Sequence, residues 1–139
     1  TTEGGGLLAT GIGGPLTGQG VRLAVVDDPV KNREEAESAL IRQRTWDWFT
    51  STLWTRIEPG GSCIVVHTRW HEDDLIGRLA RGEMGDAAQW EVVNLPAVDE
   101  HGEALWPSRW PLSELAKKRA ANEYDAEVIK FAQTDQSVR

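Results

Sequence analysis

The sequence is poor in cysteine, in long apolar runs and in excess positive charge. Cys63 is its single cysteine, so an internal disulfide is excluded and a reducing compartment is expected. No window approaches the ~18 apolar residues of a membrane-spanning helix, so we expect no membrane partner. The net charge of −7 excludes a nucleic-acid binder that relies on bulk positive charge.

The chain also lacks an initial methionine, and residues 1–10 contain no basic segment followed by an apolar one, as a secretory signal would. Together with the abrupt end at Arg139, this predicts a piece of a longer protein. A length of 139 residues, 40% of them hydrophobic and 27% charged, is typical of one globular domain with its own core.

Residues 1–20 form a glycine-rich loop region, in which residues 7–9 are a candidate short strand. The spacing of Gly13 and Gly18 imitates a phosphate-binding P-loop. Gln19 and Gly20, however, stand where that loop requires Lys and Ser or Thr. A P-loop also follows a strand, whereas this segment precedes one. We therefore predict a loop that faces a substrate or an interface.

Two apolar segments, residues 23–26 and residues 62–66, predict buried strands. Between them, an apolar stripe predicts a helix over residues 34–56. Strand, helix and strand form a βαβ unit, which is parallel by default, so polar residues after both strands should meet at one edge. The continuous apolar strands also predict a sheet that is covered on both faces.

Further elements are predicted from local signals. They are a helix over residues 75–81, a strand over 89–95, a hairpin turn at 100–103 and a helix from 111–113 to about Asn122 with Ser113 as N-cap. The tail over 124–139 is expected to continue as helix at first and then to become polar, without a structural signal.

Five ionisable residues follow the second strand and allow two interpretations: His67, His71, Glu72, Asp73 and Asp74. The first interpretation is a metal cluster, but the HxxxH spacing suits two ligands only within a helix, and no HExxH motif is present. The second is that the acids cap the following helix, whose positive end favours them. We favour capping.

The first strand ends in Asp27 and Asp28. The pattern suits a nucleoside triphosphatase, in which one carboxylate holds Mg²⁺ and the next orients or deprotonates the attacking water. The alternative is that Asp28 and Pro29 simply open a turn. On these residues alone we favour the turn, because a short apolar segment followed by two acids is a common pattern.

An ordered series of segments carries a resemblance to a known family: GIGGPLTGQG, LAVVDDPVKNREEAES, RIEPGGSCIVVHTRWHEDDLIGRL, WEVVNLPAV and ALWPSRWP. Over residues 11–110, the chain resembles the second half of the ATPase domain of tailed-phage terminase large subunits, the motors that package DNA. The resemblance implies a partial P-loop NTPase-like α/β fold of the ASCE type, with a mostly parallel sheet and flanking helices. Residues 21–123 would be a partial ATPase core, and residues 124–139 a tail toward a nuclease domain.

The resemblance also implies roles for individual residues. Asp27 would hold Mg²⁺ at the end of the Walker B strand, and Asp28 would activate water. Thr68 would sense the γ-phosphate of ATP in the coupling motif, with Arg69 close to it. The implied partners are double-stranded DNA, a portal protein, the small terminase subunit and further copies in a ring, in the cytoplasm of a bacterial host.

The sequence departs from the family in lacking a P-loop upstream of Walker B and a nuclease domain downstream. Without the Lys and backbone donors of that loop, nucleotide affinity and catalysis should nearly vanish. We expect the isolated chain not to hydrolyse ATP. Two alternatives are a non-catalytic binding or scaffold remnant of a prophage, and a Mg²⁺-dependent nuclease that uses Asp27, Asp28 and Asp73.

Overall fold

A computed structural model describes residues 4–16, 18–85, 88–121 and 128–133. The strands within them are β1 (Val21–Asp27), β2 (Ile57–Thr68), β3 (Glu91–Leu95) and β4 (Val128–Gln133). The α-helices are α1 (Arg33–Glu37), α2 (Ala39–Trp48), α3 (Leu75–Ala80) and α4 (Leu112–Ala121). None of the described helices is long and apolar enough to cross a membrane.

The four strands form one mixed sheet in the order β1-β2-β4-β3. β1 and β2 are parallel, with Val26 opposite Val65, which confirms the α/β class and the predicted parallel pair. β4 is antiparallel to both of its neighbours. β1, β2 and β3 therefore run in one direction with β4 inserted against them, so the predicted mostly parallel sheet is found only in its β1–β2 part.

β4 corrects the prediction of a helical tail. Its sequence, VIKFAQ, contains β-branched and aromatic residues that favour strands, and the edges of β2 and β3 provide the hydrogen-bond partners. Residues 122–127 and 134–139 of the predicted helix and tail lie outside the described part of the chain. The predicted strand at residues 7–9 is irregular instead, and Leu7 is 97% exposed, because no described strand pairs with it.

The predicted helix over residues 34–56 is found in four pieces. Asn32 caps α1 by accepting a hydrogen bond from the Glu35 N–H at 2.9 Å. Ser38 is extended and accepts from the Ile41 N–H, so it ends α1 and caps α2, as short hydroxyl side chains do. The last turns are a π-helical turn, Phe49–Leu53, and a 3₁₀ turn, Trp54–Arg56.

The last helix and the turn before it follow local signals. The predicted hairpin turn is confirmed by an antiparallel bridge between Val98 and Ala104. α4 begins at Leu112, one residue before the expected N-cap, so Ser113 lies in its first turn. The Pro111 carbonyl, just before the helix, accepts from the Glu114 and Leu115 N–H groups.

The core lies on one face of the sheet. On this face, Ala24 and Val26 alternate along β1, and Cys63 and Val65 alternate along β2. The helical residues packed against them are Phe49, Leu53, Leu75, Ile76 and Leu79, joined by Leu16. Burial raises the pKa of the Cys63 thiol to about 12, in keeping with a purely packing role.

The opposite face of β1 is open. Leu23 and Val25 point away from the core and are 58% and 59% exposed. The expectation of a sheet covered on both faces is therefore wrong for β1, because the helices that pack on the strand do so on the core face. Leu23, Val25 and Val93, which is 36% exposed on β3, are called the open face below.

Two valines on neighbouring strands test this one-sided core. We expect Val65→Ala to lower the free energy of unfolding by about 2 kcal/mol, because it removes buried methyl groups and leaves a cavity. We expect Val25→Ala to cost less than about 0.5 kcal/mol, because its side chain is already in water. Urea unfolding of both variants checks this, and equal losses would show that the open face is covered.

Candidate functional site

The candidate site lies where β1 and β2 end. The Asp28 N–H donates to the Val66 carbonyl at 2.9 Å, and the Thr68 N–H donates to Asp28 Oδ1 at 3.1 Å. Two residues separated by forty positions are therefore in direct contact. Asp27, which pairs with Val66 in the ladder, is exposed on the same side of β1 as Leu23 and Val25.

Asp28 has an unusual backbone conformation. Its φ of 40° lies in the left-handed region, and among the described residues Asp28 is the one non-glycine residue with a positive φ. Aspartate tolerates this region better than most residues, but it still costs on the order of 1 kcal/mol. Such strain persists only where the surroundings hold it, and here the two hydrogen bonds to β2 do so. Asp28 thus opens a turn and also presents a carboxylate.

Asp74 organises the loop that follows β2. Its carboxylate is fully buried, and Oδ1 accepts from the Gly77 N–H at 2.8 Å, which caps α3. Oδ2 accepts from Arg69 Nε at 3.1 Å and from the Trp70 and His71 N–H groups at 3.3 Å. The predicted capping role is confirmed for Asp74, and a buried charge of this kind requires such donors.

Arg69 belongs to this cap. Besides Asp74, its Nη2 lies 3.4 Å from the carbonyls of His71 and Glu72, to which it donates. The resemblance implies that Arg69 lies near the γ-phosphate. In the structure its Nε is held on Asp74, because a buried carboxylate needs a charged partner.

Gly77 allows α3 to lie directly against this loop. A Cβ at this position would collide with the carbonyl of Glu72. The glycine in the sequence DDLIGRL is therefore required by a close backbone approach.

Asp73 makes a separate ion-pair network that joins α2 to α3. Arg78 binds both carboxylate oxygens at 2.8 and 3.0 Å, Arg81 lies at 3.0 Å and Arg42 at 3.4 Å. The hydrogen bond from Arg78 is the main cause that holds the pKa of Asp73 well below its usual range, and Arg42 adds to it. The Arg78 guanidinium also lies 5.6 Å from the ring centroid of Trp46.

His67 is buried between the two carboxylates of the edge. Its Nδ1 lies 3.5 Å from Asp28 Oδ1 and its Nε2 lies 3.8 Å from Asp74 Oδ2. Neither nitrogen has a hydrogen-bond partner at normal distance in the described chain. Burial lowers the pKa of His67 and so favours the neutral ring, although the carboxylates of Asp74 and Asp28 oppose this shift.

The metal-cluster interpretation finds no support in the described residues, where no three metal-ligating side chains converge. The Asp73 carboxylate is ion-paired with arginines, and the Asp74 carboxylate accepts hydrogen bonds from N–H donors. His71 Nδ1 accepts from the Asp73 N–H at 2.9 Å. The side chains that could have been ligands thus stabilise the loop instead.

Sequence reasoning missed the contacts of His67. A signal was present, because period-two alternation along β2 places His67 on the same face as Cys63 and Val65, toward the core. Its contact with Asp28 depends on the pairing of two strands and has no local signal.

Comparisons of the chain with protein-family models, curated proteins and solved structures give no match. The chemistry of the edge is therefore inferred from its own residues.

The acids at the start of α3 provide a matched pair of substitutions. We expect Asp74→Ala to destabilise the fold by roughly 3 kcal/mol or more, because the helix cap is lost and buried N–H groups keep no acceptor. We expect Glu72→Ala, two residues away and exposed, to change stability by less than about 0.5 kcal/mol. Urea unfolding at pH 7 measures both, and similar losses would contradict the assigned role of Asp74.

The Asp73 network predicts a pH dependence of stability. Its folded pKa lies below the unfolded value of about 3.9, so its contribution is present above pH 4 and is lost as the pH falls below it. We expect Asp73→Asn to be less stable than the unmodified chain at pH 7, by about 1 kcal/mol after solvent screening. The difference should shrink steadily between pH 4 and pH 2.

Unfolding curves at several pH values measure this difference, with Glu103→Gln, an exposed acid, as the control. A gap between Asp73→Asn and the unmodified chain that widens on acidification would contradict the network as described.

Proposed function

We propose that this chain is the carboxyl-side part of a terminase-type ATPase domain, which in its full context uses Mg²⁺ and ATP to drive double-stranded DNA into a procapsid. The observation that carries the proposal is the contact of Asp28 with the Thr68 N–H at 3.1 Å. It joins the acid that would activate water to the residue that would sense the γ-phosphate.

The two aspartates are placed for different tasks. Asp27 is exposed at the end of β1, and its carboxylate suits Mg²⁺, which prefers oxygen ligands and keeps several waters. The bound ion would neutralise charge on the phosphates. The Asp28 side chain is 59% exposed, and its Oδ1 is held by Thr68. Oδ2 is then the oxygen that accepts a proton from the attacking water.

The contact between Asp28 and Thr68 also offers a route for coupling. A movement of Thr68 when the γ-phosphate leaves would pull on the Asp28 carboxylate through the shared hydrogen bond. Hydrolysis at the end of β1 would then change the positions of residues in β2 and in the loop that leads to α3.

The site needs a further phosphate-binding loop, which would have to follow a parallel strand that ends at the same edge. The sheet has two suitable positions. One is beside β1 on its free side, since β1 pairs with β2 alone among the described strands. The other is the position between β2 and β3, which is occupied by β4 running in the opposite direction. The portal protein, the small terminase subunit and a ring of copies are part of this proposal.

A second candidate is a non-catalytic binding module. The open face favours it, since exposed apolar side chains on one face of a sheet are suited to an interaction site, and Leu23 and Val25 are more than half exposed. The nuclease alternative has less support, because the Asp73 carboxylate is bound by arginines.

Manganese, a paramagnetic substitute for Mg²⁺, tests the metal site in the isolated chain. We expect Mn²⁺ to broaden the amide NMR signals of Asp27, Asp28 and Thr68, because a carboxylate beside these groups binds the ion. Asp27→Asn should abolish the effect, and Glu100→Gln, on an exposed turn, should not. Broadening that persists in Asp27→Asn would refute the assignment of the metal ligand.

Nucleotide binding is tested by calorimetry with Mg²⁺ and ATP, and catalysis is tested by measuring ATP turnover. We expect neither tight binding nor turnover, because the phosphate loop is absent. Turnover in proportion to pure protein would refute the incomplete site. Plasmid cleavage that needs Mg²⁺ and is lost in Asp27→Ala would favour a nuclease. A binding phenotype unaffected by the loss of Asp27 and Asp28 would favour the binding module.

A further inference from the structure

His67 is a buried polar side chain whose hydrogen-bonding needs are unmet at normal distances. Its side chain is 0% exposed, and carboxylate oxygens flank both ring nitrogens at 3.5 and 3.8 Å. A neutral imidazole carries one N–H donor and one acceptor nitrogen. A buried donor left without a partner costs about 1–3 kcal/mol. The ring N–H is therefore expected to point toward one of the two carboxylates and to donate a hydrogen bond to it.

The two carboxylates differ in how many further hydrogen bonds they can accept. Asp74 Oδ2 already faces three donors, Arg69 Nε and the Trp70 and His71 N–H groups. Asp28 Oδ1 accepts from the Thr68 N–H and is also the nearer oxygen. A carboxylate oxygen accepts about two hydrogen bonds. The proton is therefore placed on Nδ1, facing Asp28.

We propose that His67 is a positioning residue for Asp28: its neutral ring donates Nδ1–H to Asp28 Oδ1 and, with the Thr68 N–H, orients the carboxylate so that Oδ2 faces outward. A shift of a few tenths of an ångström from the 3.5 Å contact brings the pair to hydrogen-bond distance. The link to water activation rests on the proposed function, whereas the orientation of Asp28 does not.

Burial and the positive charge of Arg69, in the loop between β2 and α3, favour a neutral His67 ring, whereas the carboxylates of Asp28 and Asp74 favour a charged one. Arg69 neutralises Asp74 by their 3.1 Å ion pair. The carboxylate of Asp74 therefore stabilises a second proton on Nε2 less strongly. At 3.8 Å from Asp74 Oδ2, Nε2 can then remain unprotonated.

The proton position can be read directly from the ¹⁵N chemical shifts of the His67 ring at pH 7. We expect a neutral ring with the proton on Nδ1. We expect Asp28→Ala to move the proton to Nε2, toward Asp74, because the preferred acceptor is gone. Glu100→Ala, remote on an exposed turn, should leave the ring unchanged. A merely structural packing role would not predict this switch of tautomer.

A pair of substitutions at His67 tests the orientation of Asp28. The amide nitrogen of Asn reaches the position of Nδ1, and that of Gln reaches the position of Nε2. We expect three-bond scalar couplings to show one side-chain rotamer of Asp28 in the unmodified chain and in His67→Asn. Averaged rotamers are expected in His67→Gln.

A ring that carries its proton on Nε2 or on both nitrogens in the unmodified chain would overturn the proposal, as would an unchanged ring in Asp28→Ala. The tautomer measurement needs no substitution at His67, so it decides the question even where a variant fails to fold. It also needs no metal or nucleotide, so failure of the Mn²⁺ test would leave it intact.

Discussion

The parallel ladder between β1 (Val21–Asp27) and β2 (Ile57–Thr68) is the interaction on which the rest of the structure depends. It sets Val26 beside Val65 and so forms the floor of the core on which the helical layer packs. It also brings the ends of both strands together, so that the Asp28 N–H donates to the Val66 carbonyl and the Thr68 N–H donates to Asp28 Oδ1. Packing and chemistry therefore share one cause, the register of this pair.

The edge is stable because its charges are compensated. Asp74 is buried among N–H donors and Arg69, while Asp73 is shared by arginines from α2 and α3. Removing two charges from water is costly unless they are paired and hydrogen-bonded. The loop after β2 thus fixes Asp74 beside His67, and His67 in turn lies beside Asp28.

The two proposed functions involve different parts of the sheet. Leu23 and Val25 are apolar residues in water, and β4 runs against two strands that share a direction. A terminase-type motor would add a phosphate loop at the edge. A binding module would instead cover the open face with a partner.

The sequence by itself determined the elements whose signals are local. β1, β2 and β3 follow from short apolar segments, and the cap at Asp74 follows from a side chain that reaches the N–H group three residues ahead. The break at Ser38 has the same capping chemistry, but its residues also fit a continuous helix, so the pattern did not separate the two.

Only the tertiary structure decided which face of β1 is open, where β4 pairs, and how His67 comes to lie between Asp28 and Asp74. The reason is physical. Helical and strand periodicity act over a few residues. These contacts join residues up to 70 positions apart, as in the pairing of Cys63 with Gln133, and they depend on which strands pair and in what register.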